Sequence, residues 1–146
     1  MDKMDVVYAA NNNYAIITGI SIISLFENNK DCSDLSVYIL SDNICSVEFF
    51  YDIGEKYQRA IHIIDVTEAL SIFEQNGAGK YANEKGGGGY ASFAKLLIPD
   101  LLQESERVVY LDSDTLIVGN IFGLFCLDMQ GKPIGMAHDC IQNKYK

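Results

Sequence analysis

A chain of 146 residues, 49% apolar and 21% charged, has the length and composition of one folded domain, which excludes disorder along its whole length. Its 11 Lys+Arg against 20 Asp+Glu leave a net charge of −9, the wrong sign for phosphate contact, so nucleic acid is excluded as a partner. The four cysteines show no CxxC pairing and read as reduced thiols. Met1-Asp2-Lys3-Met4-Asp5 runs straight into a strand-like segment with no signal-peptide pattern, and the longest apolar stretch, Tyr14 to Phe26, is too short to cross a bilayer. The expected location is the cytoplasm, free or peripheral at the inner membrane surface.

Strand and helix signals alternate along the chain. Val6 to Ala9 is a short β-branched and aromatic run ending at Asn11-Asn12-Asn13, residues suited to capping a following helix. Tyr14 to Glu27 carries apolar residues at 16, 17, 20, 23 and 26, the spacing of a helix face. Leu35 to Leu40 reads as a second strand, closed by Ser41-Asp42-Asn43 as another capping cluster. Val47 to Arg59 is helical, with Phe50, Ile53 and Tyr57 on one face. Ile61 to Val66 is a third strand, and Thr67 is placed to cap a short helix through Phe73.

Gln75 to Gly89 holds six of the twelve glycines and is expected to be a mobile loop, with a lid over a site as its functional reading. Tyr90 to Leu97 is helical and expected to stop before Pro99. A fourth strand, Arg107 to Leu111, is interrupted by Asp112-Ser113-Asp114, and Thr115 to Val118 reads as a fifth. A short helix over Ile121 to Leu127 and a last strand over Pro133 to His138 complete the chain. Repeated strand–helix units imply an α/β fold with a largely parallel, doubly wound sheet, in which ligands bind outside the carboxyl ends of the strands. The asparagine cluster and Asp112-Ser113-Asp114 would both lie at that edge.

Asp112-Ser113-Asp114 is the sharpest chemical feature. Two carboxylates at i and i+2 after an apolar strand can converge on one hard cation, Mn²⁺ or Mg²⁺, and so hold a diphosphate. A solvated turn is the bland alternative. The segment is not an EF-hand, because Leu116 and Ile117 stand where an oxygen ligand and a glycine are needed. A haloacid-dehalogenase phosphatase signature is a weaker reading, since the glycine between Asp114 and Thr115 is missing. Gly77 to Tyr81 is neither a P-loop nor a dinucleotide fingerprint. His62 reads as structural, whereas His138 with Asp139 is a candidate pair at the carboxyl edge; no zinc-ligand spacing and no nucleophile elbow occur.

These residues resemble glycosyltransferase family 8, retaining enzymes with a Rossmann-like nucleotide-diphospho-sugar transferase fold, the lipopolysaccharide galactosyl- and glucosyltransferases among them. Three segments carry the likeness: Val6 to Ala15, Phe93 to Leu102, and above all Arg107 to Val118. The resemblance implies transfer of a hexose from UDP-galactose or UDP-glucose to a glycan or lipid-linked acceptor, with retention and with Mn²⁺ or Mg²⁺. Asp112 and Asp114 would hold the metal; Ala9, Asn11, Asn13, Tyr14 and Ser113 would contact the nucleoside; Lys95, Asp112 and Asp139 would face the donor sugar and phosphates. Asn11 stands where relatives often carry aspartate, and Lys95 where they usually carry arginine, losing the bidentate fork. By the family order, the third metal ligand, a histidine, would be expected beyond Lys146. The chain is therefore expected to be a single, partial donor-binding domain, 1–146, and the alternative reading is a fragment that binds UDP-sugar without turnover. A marginally folded interaction fragment is a third reading, and the oligomeric state is open.

Overall fold

A computed structural model describes residues 3–42, 47–73, 75–76 and 89–138. The Gly-rich loop expected over 75–89 falls almost wholly outside the described residues, as do Asp139, Cys45 and Cys140. The chain alternates β1 (Met4–Ala10), α1 (Ala15–Asn28), β2 (Leu35–Ser41), α2 (Val47–Tyr57), β3 (Ala60–Asp65) and α3 (Thr67–Phe73). A 3₁₀ run, Gly89–Leu97, leads into α4 (Ile98–Leu101), β4 (Val108–Tyr110) and α5 (Phe122–Phe125).

The four strands form one all-parallel sheet in the order β3-β2-β1-β4. The α/β parallel architecture read from the sequence is therefore present. β1 and β2 are apolar nearly throughout, as strands covered on both faces must be. On one face Val6, Tyr8, Val37 and Ile39 pack against Ile22, Leu25 and Phe26 of α1 and Phe50 and Ile53 of α2. Removing each such side chain from water contributes roughly 1.5–3 kcal/mol. On the other face Val7 and Leu40 meet Val66, Leu70 and Ala94, with Phe73 stacked on Phe93.

The expected core face of α2 is correct, since Phe50 and Ile53 are buried. That of α1 is not. Ile16, Ile17 and Ile20 are exposed, Ile16 to 70%, and the buried stripe is Ala15, Thr18, Gly19, Ile22, Leu25 and Phe26, with Ser21. Two packing facts select the smaller residues. A Cβ at Gly19 would meet Phe49 Cε1 at 2.3 Å, so α1 and α2 approach where one of them has no side chain. The other is a polar seam: Ser21 Oγ lies 3.3 Å from Thr115 Oγ1, Ile117 N donates to Ser24 Oγ at 2.9 Å, and Asn28 Nδ2 donates to Ile117 O at 2.9 Å. Asn29 Oδ1 then accepts from Ile121 N.

That seam also explains why the expected fifth strand is absent. Thr115 to Val118 forms no ladder, because its backbone groups are taken by α1 side chains rather than by a neighbouring strand. Pro133 to His138 is likewise irregular and exposed, not a strand. The helical run does not stop before Pro99; Pro99 sits in the first turn of α4, where its missing N–H costs nothing. The asparagine cluster does not cap α1 by side chain: the residue before the helix is Tyr14, and Asn11 Oδ1 instead accepts from Asn13 N. Similarly, Asp65 rather than Thr67 turns the chain into α3, accepting from Thr67 N and Oγ1.

Ser24→Ala is expected to lower stability by about 1–3 kcal/mol, because Ile117 N loses its acceptor. Ile20→Ala, on the exposed side, should stay within about 0.5 kcal/mol. Urea denaturation of both variants checks this; a larger loss for Ile20→Ala would mean that α1 seats through its isoleucines.

Candidate functional site

The site is set by where β1 and β4 leave the sheet. Val7 pairs with Tyr110, and Leu111 N donates to Val7 O at 2.9 Å, so the chain stays against β1 for one residue beyond β4. Ser113 Oγ then donates to Ala9 O at 2.7 Å, and Ser113 is buried. This bond seats the acidic turn directly beside the end of β1, whose next residues are the asparagine cluster. The two motifs, about a hundred positions apart in sequence, share the carboxyl edge.

The turn itself is closed by Thr115, whose N and Oγ1 both donate to Asp112 O. With Ser113 turned inward, Asp112 and Asp114 on either side of it are exposed. Burial pushes the Tyr110 phenol up to about 12, and the nearby Asp112 charge adds to this. Tyr110 therefore stays protonated at ordinary pH, with the Asp112 charge nearby. Lys95 Nζ lies 5.6 Å from the centroid of the same ring. One aromatic ring thus links Lys95, from the 3₁₀ run, to Asp112. Lys95 reaches this place because its neighbour Ala94 is fully buried under the sheet, leaving Lys95 outward.

On the β1 side, Tyr14 N donates to Asn11 O and Thr18 Oγ1 to Tyr14 O, which fixes the entry of α1. Tyr14 is 37% exposed, and Asn13 is exposed. Beneath it, the Tyr8 phenol accepts from Ser21 Oγ at 3.1 Å, and burial raises its pKa to about 12.

Ala9, Asn11, Asn13, Tyr14, Asp112, Ser113 and Asp114 therefore lie at or just beyond the carboxyl ends of the adjacent strands β1 and β4, with Lys95 beside the Tyr110 ring. Ser113 and Ala9 meet each other through the Ser113 hydroxyl, and Asn11 spends its amide oxygen on the turn. His138 is exposed in an irregular segment, and its companion Asp139 lies outside the described residues. Asp112 and Asp114 supply hard oxygen donors suited to Mn²⁺ or Mg²⁺, and no group of three or more His, Cys, Asp or Glu suited to a metal occurs among the described residues. Two protein ligands leave room for diphosphate oxygens to complete such an ion's shell. Sequence reading missed Tyr110, whose signal was its position two residues before Asp112.

Among the described residues, no helix is long and apolar enough to cross a membrane. The chain is 32% identical over 143 residues to glycosyltransferase GlyF of Streptococcus pneumoniae serotype 4 (strain ATCC BAA-334 / TIGR4), covering 94% of this chain and 32% of GlyF. It is 30% identical over 139 residues to glycosyltransferase GlyE of the same strain, covering 94% of the chain and 32% of GlyE. The chain thus spans about a third of the length of the curated relatives it matches. The solved apo-form structure of GlyE superposes with a TM-score of 0.66 at 28% identity, covering 96% of this chain and 30% of that one. Mouse xyloside xylosyltransferase 1 shares the fold, with a TM-score of 0.59 at 18% identity, covering 86% of this chain and 48% of the other. The model for "Glycosyl transferase family 8" matches residues 5–146, and the chain, a nucleotide-sugar transferase fold with an acidic turn at its carboxyl edge, belongs to that family.

Proposed function

We propose that this chain carries the donor site of a metal-dependent hexosyltransferase that takes its sugar from UDP-galactose or UDP-glucose, with retention of configuration, and passes it to a glycan or lipid-linked acceptor. The observation that carries the reading is the Ser113–Ala9 bond, which holds the acidic turn against β1 just before the asparagine turn, at one edge of a parallel sheet in a family 8 chain. A nucleoside diphosphate leaving group develops negative charge rather than needing a proton, so a bound Mn²⁺ or Mg²⁺ supplies the compensating charge. Asp112 and Asp114 hold that ion. Tyr110, whose protonated phenol lies near the Asp112 charge, is placed to orient that carboxylate, as groups behind a metal ligand do. Lys95 offers a point charge toward the phosphates. Asn13 and Tyr14 flank the nucleoside, the Tyr14 ring offering a stacking face. Asp139 completes the sugar-facing set.

A second reading is a chain that binds UDP-sugar without turning it over. The two readings predict the same binding and differ in product.

Calorimetric titration of UDP is expected to show affinity at least tenfold higher with Mn²⁺ than without, and Asp114→Ala should remove that gain. Heat indifferent to the metal would sink both readings. Release of free hexose or UDP from UDP-glucose or UDP-galactose separates them. Tyr110→Phe should leave folding intact while weakening the Mn²⁺-dependent part of UDP affinity about tenfold; an unchanged metal dependence would assign Tyr110 to packing alone.

A further inference from the structure

Among the described residues, three side chains carry a buried oxygen without a hydrogen-bond partner: Asp5 Oδ1, Ser41 Oγ and Asp42 Oδ1. Asp5 is at the amino end of β1, and its other oxygen takes Lys3 Nζ and Ser105 Oγ. Ser41 and Asp42 are consecutive, at the opposite edge, and neither belongs to the set described above. Ser41 is 2% exposed. It lies in the last row of the sheet, paired with Ala10 of β1 on one side and Asp65 of β3 on the other. Its carbonyl accepts from Val66 N, so the backbone at this corner is satisfied while the side chains are not.

Asp42 is half-buried. Burial pushes its carboxyl up, and the charge of Asp65 adds to this. A polar corner held in that state destabilises the free chain unless something else uses it. Its position narrows what that is. In doubly wound sheets the ligand crevice lies outside the strand ends, and an acidic side chain after the strand beside β1 is placed to accept hydrogen bonds from a bound nucleoside.

We propose that Asp42 is a nucleoside-positioning residue of the donor site: its carboxylate turns the enclosed oxygen outward to accept a hydrogen bond from the ribose diol or the base imide N–H. The inference rests on the UDP-sugar reading above. It extends that site across the β1–β2 end of the edge, whereas Asp112, Asp114 and Lys95 serve the phosphates at the β1–β4 end. Ser41 Oγ gives the same corner a second unpartnered group.

The test compares UDP with pyrophosphate, both titrated calorimetrically in the presence of Mn²⁺. Asp42→Ala is expected to weaken UDP about tenfold or more and to leave pyrophosphate unchanged, since the lost contact is to the nucleoside. Asp42→Asn, which keeps an acceptor oxygen, should recover part of the loss, and it carries the comparison if the alanine variant fails to fold. Asp5→Asn, the buried orphan at the other edge, should bind UDP as the parent does. Titrating 2′-deoxy-UDP and N3-methyl-UDP identifies the donor group: the modification that weakens the parent but costs Asp42→Ala nothing further marks it. Equal UDP affinity in the parent and Asp42→Ala overturns the proposal, as does a parallel loss of UDP and pyrophosphate. In both cases the parent still binds UDP with metal and the broader reading stands. If the parent binds no UDP at all, both fall.

Discussion

Everything at the carboxyl edge depends on β1 being hydrogen-bonded to a parallel neighbour on each side. β2 fixes Ala10 against Ser41, and β4 fixes Val7 against Tyr110, so three chain exits are held within a few strand spacings of one another. The Ser113–Ala9 bond then uses a carbonyl near the end of β1 to seat a turn that belongs to β4. Had β4 paired elsewhere, the two acidic side chains would keep their local turn and lose their neighbours. The candidate site is thus a junction of three strand ends rather than a single motif.

The second constraint is the polar seam of α1. A helix on a parallel sheet ordinarily presents its largest apolar residues inward. Here Thr18, Ser21, Ser24 and Asn28 are drawn toward the sheet and the 115–117 segment, and three isoleucines are left outside. The seam takes up backbone groups of a segment that leaves the sheet too early to find them in a ladder. It also fixes how the chain runs on from Asp114, because Thr115 touches both α1 and the carbonyl of Asp112.

These two constraints mark how far the fold and site could be read beforehand. β1 and β2 were legible because a strand buried on both faces is a nearly continuous apolar run, β3 because Ile61, Ile63 and Ile64 keep that signal at the edge of the sheet, and α2 because Phe50 and Ile53 outweigh any competing stripe. Shared placement of the Asn and Asp clusters followed from parallel topology alone. The buried stripe of α1 was not legible, since Ile16, Ile17 and Ile20 give the stronger periodic signal and the reason for hiding Ser21 and Ser24 sits about ninety residues away. Thr115 to Val118 has strand composition for the same reason it failed as a strand: propensity cannot show which partner takes the backbone. Tyr110 was invisible as a linker because what matters is what surrounds its ring and hydroxyl, the Lys95 ammonium and the Asp112 charge, from two different segments.

The charge of the chain acquires a specific meaning from this geometry. Asp112 and Asp114 border one end of the carboxyl edge, and Asp42 and Asp65 the other, in a chain of net charge −9. A diphosphate brought within about 4 Å of a carboxylate is repelled by about 4 kcal/mol per charge pair at an effective dielectric of about 20. One lysine, Lys95, beside the Tyr110 ring does not offset two such pairs. Electrostatics alone therefore favours a divalent cation beside any phosphate-bearing ligand proposed for this edge. That coupling makes metal dependence of ligand affinity, rather than affinity itself, the quantity that separates a nucleotide-sugar site from an acidic turn on a protein surface.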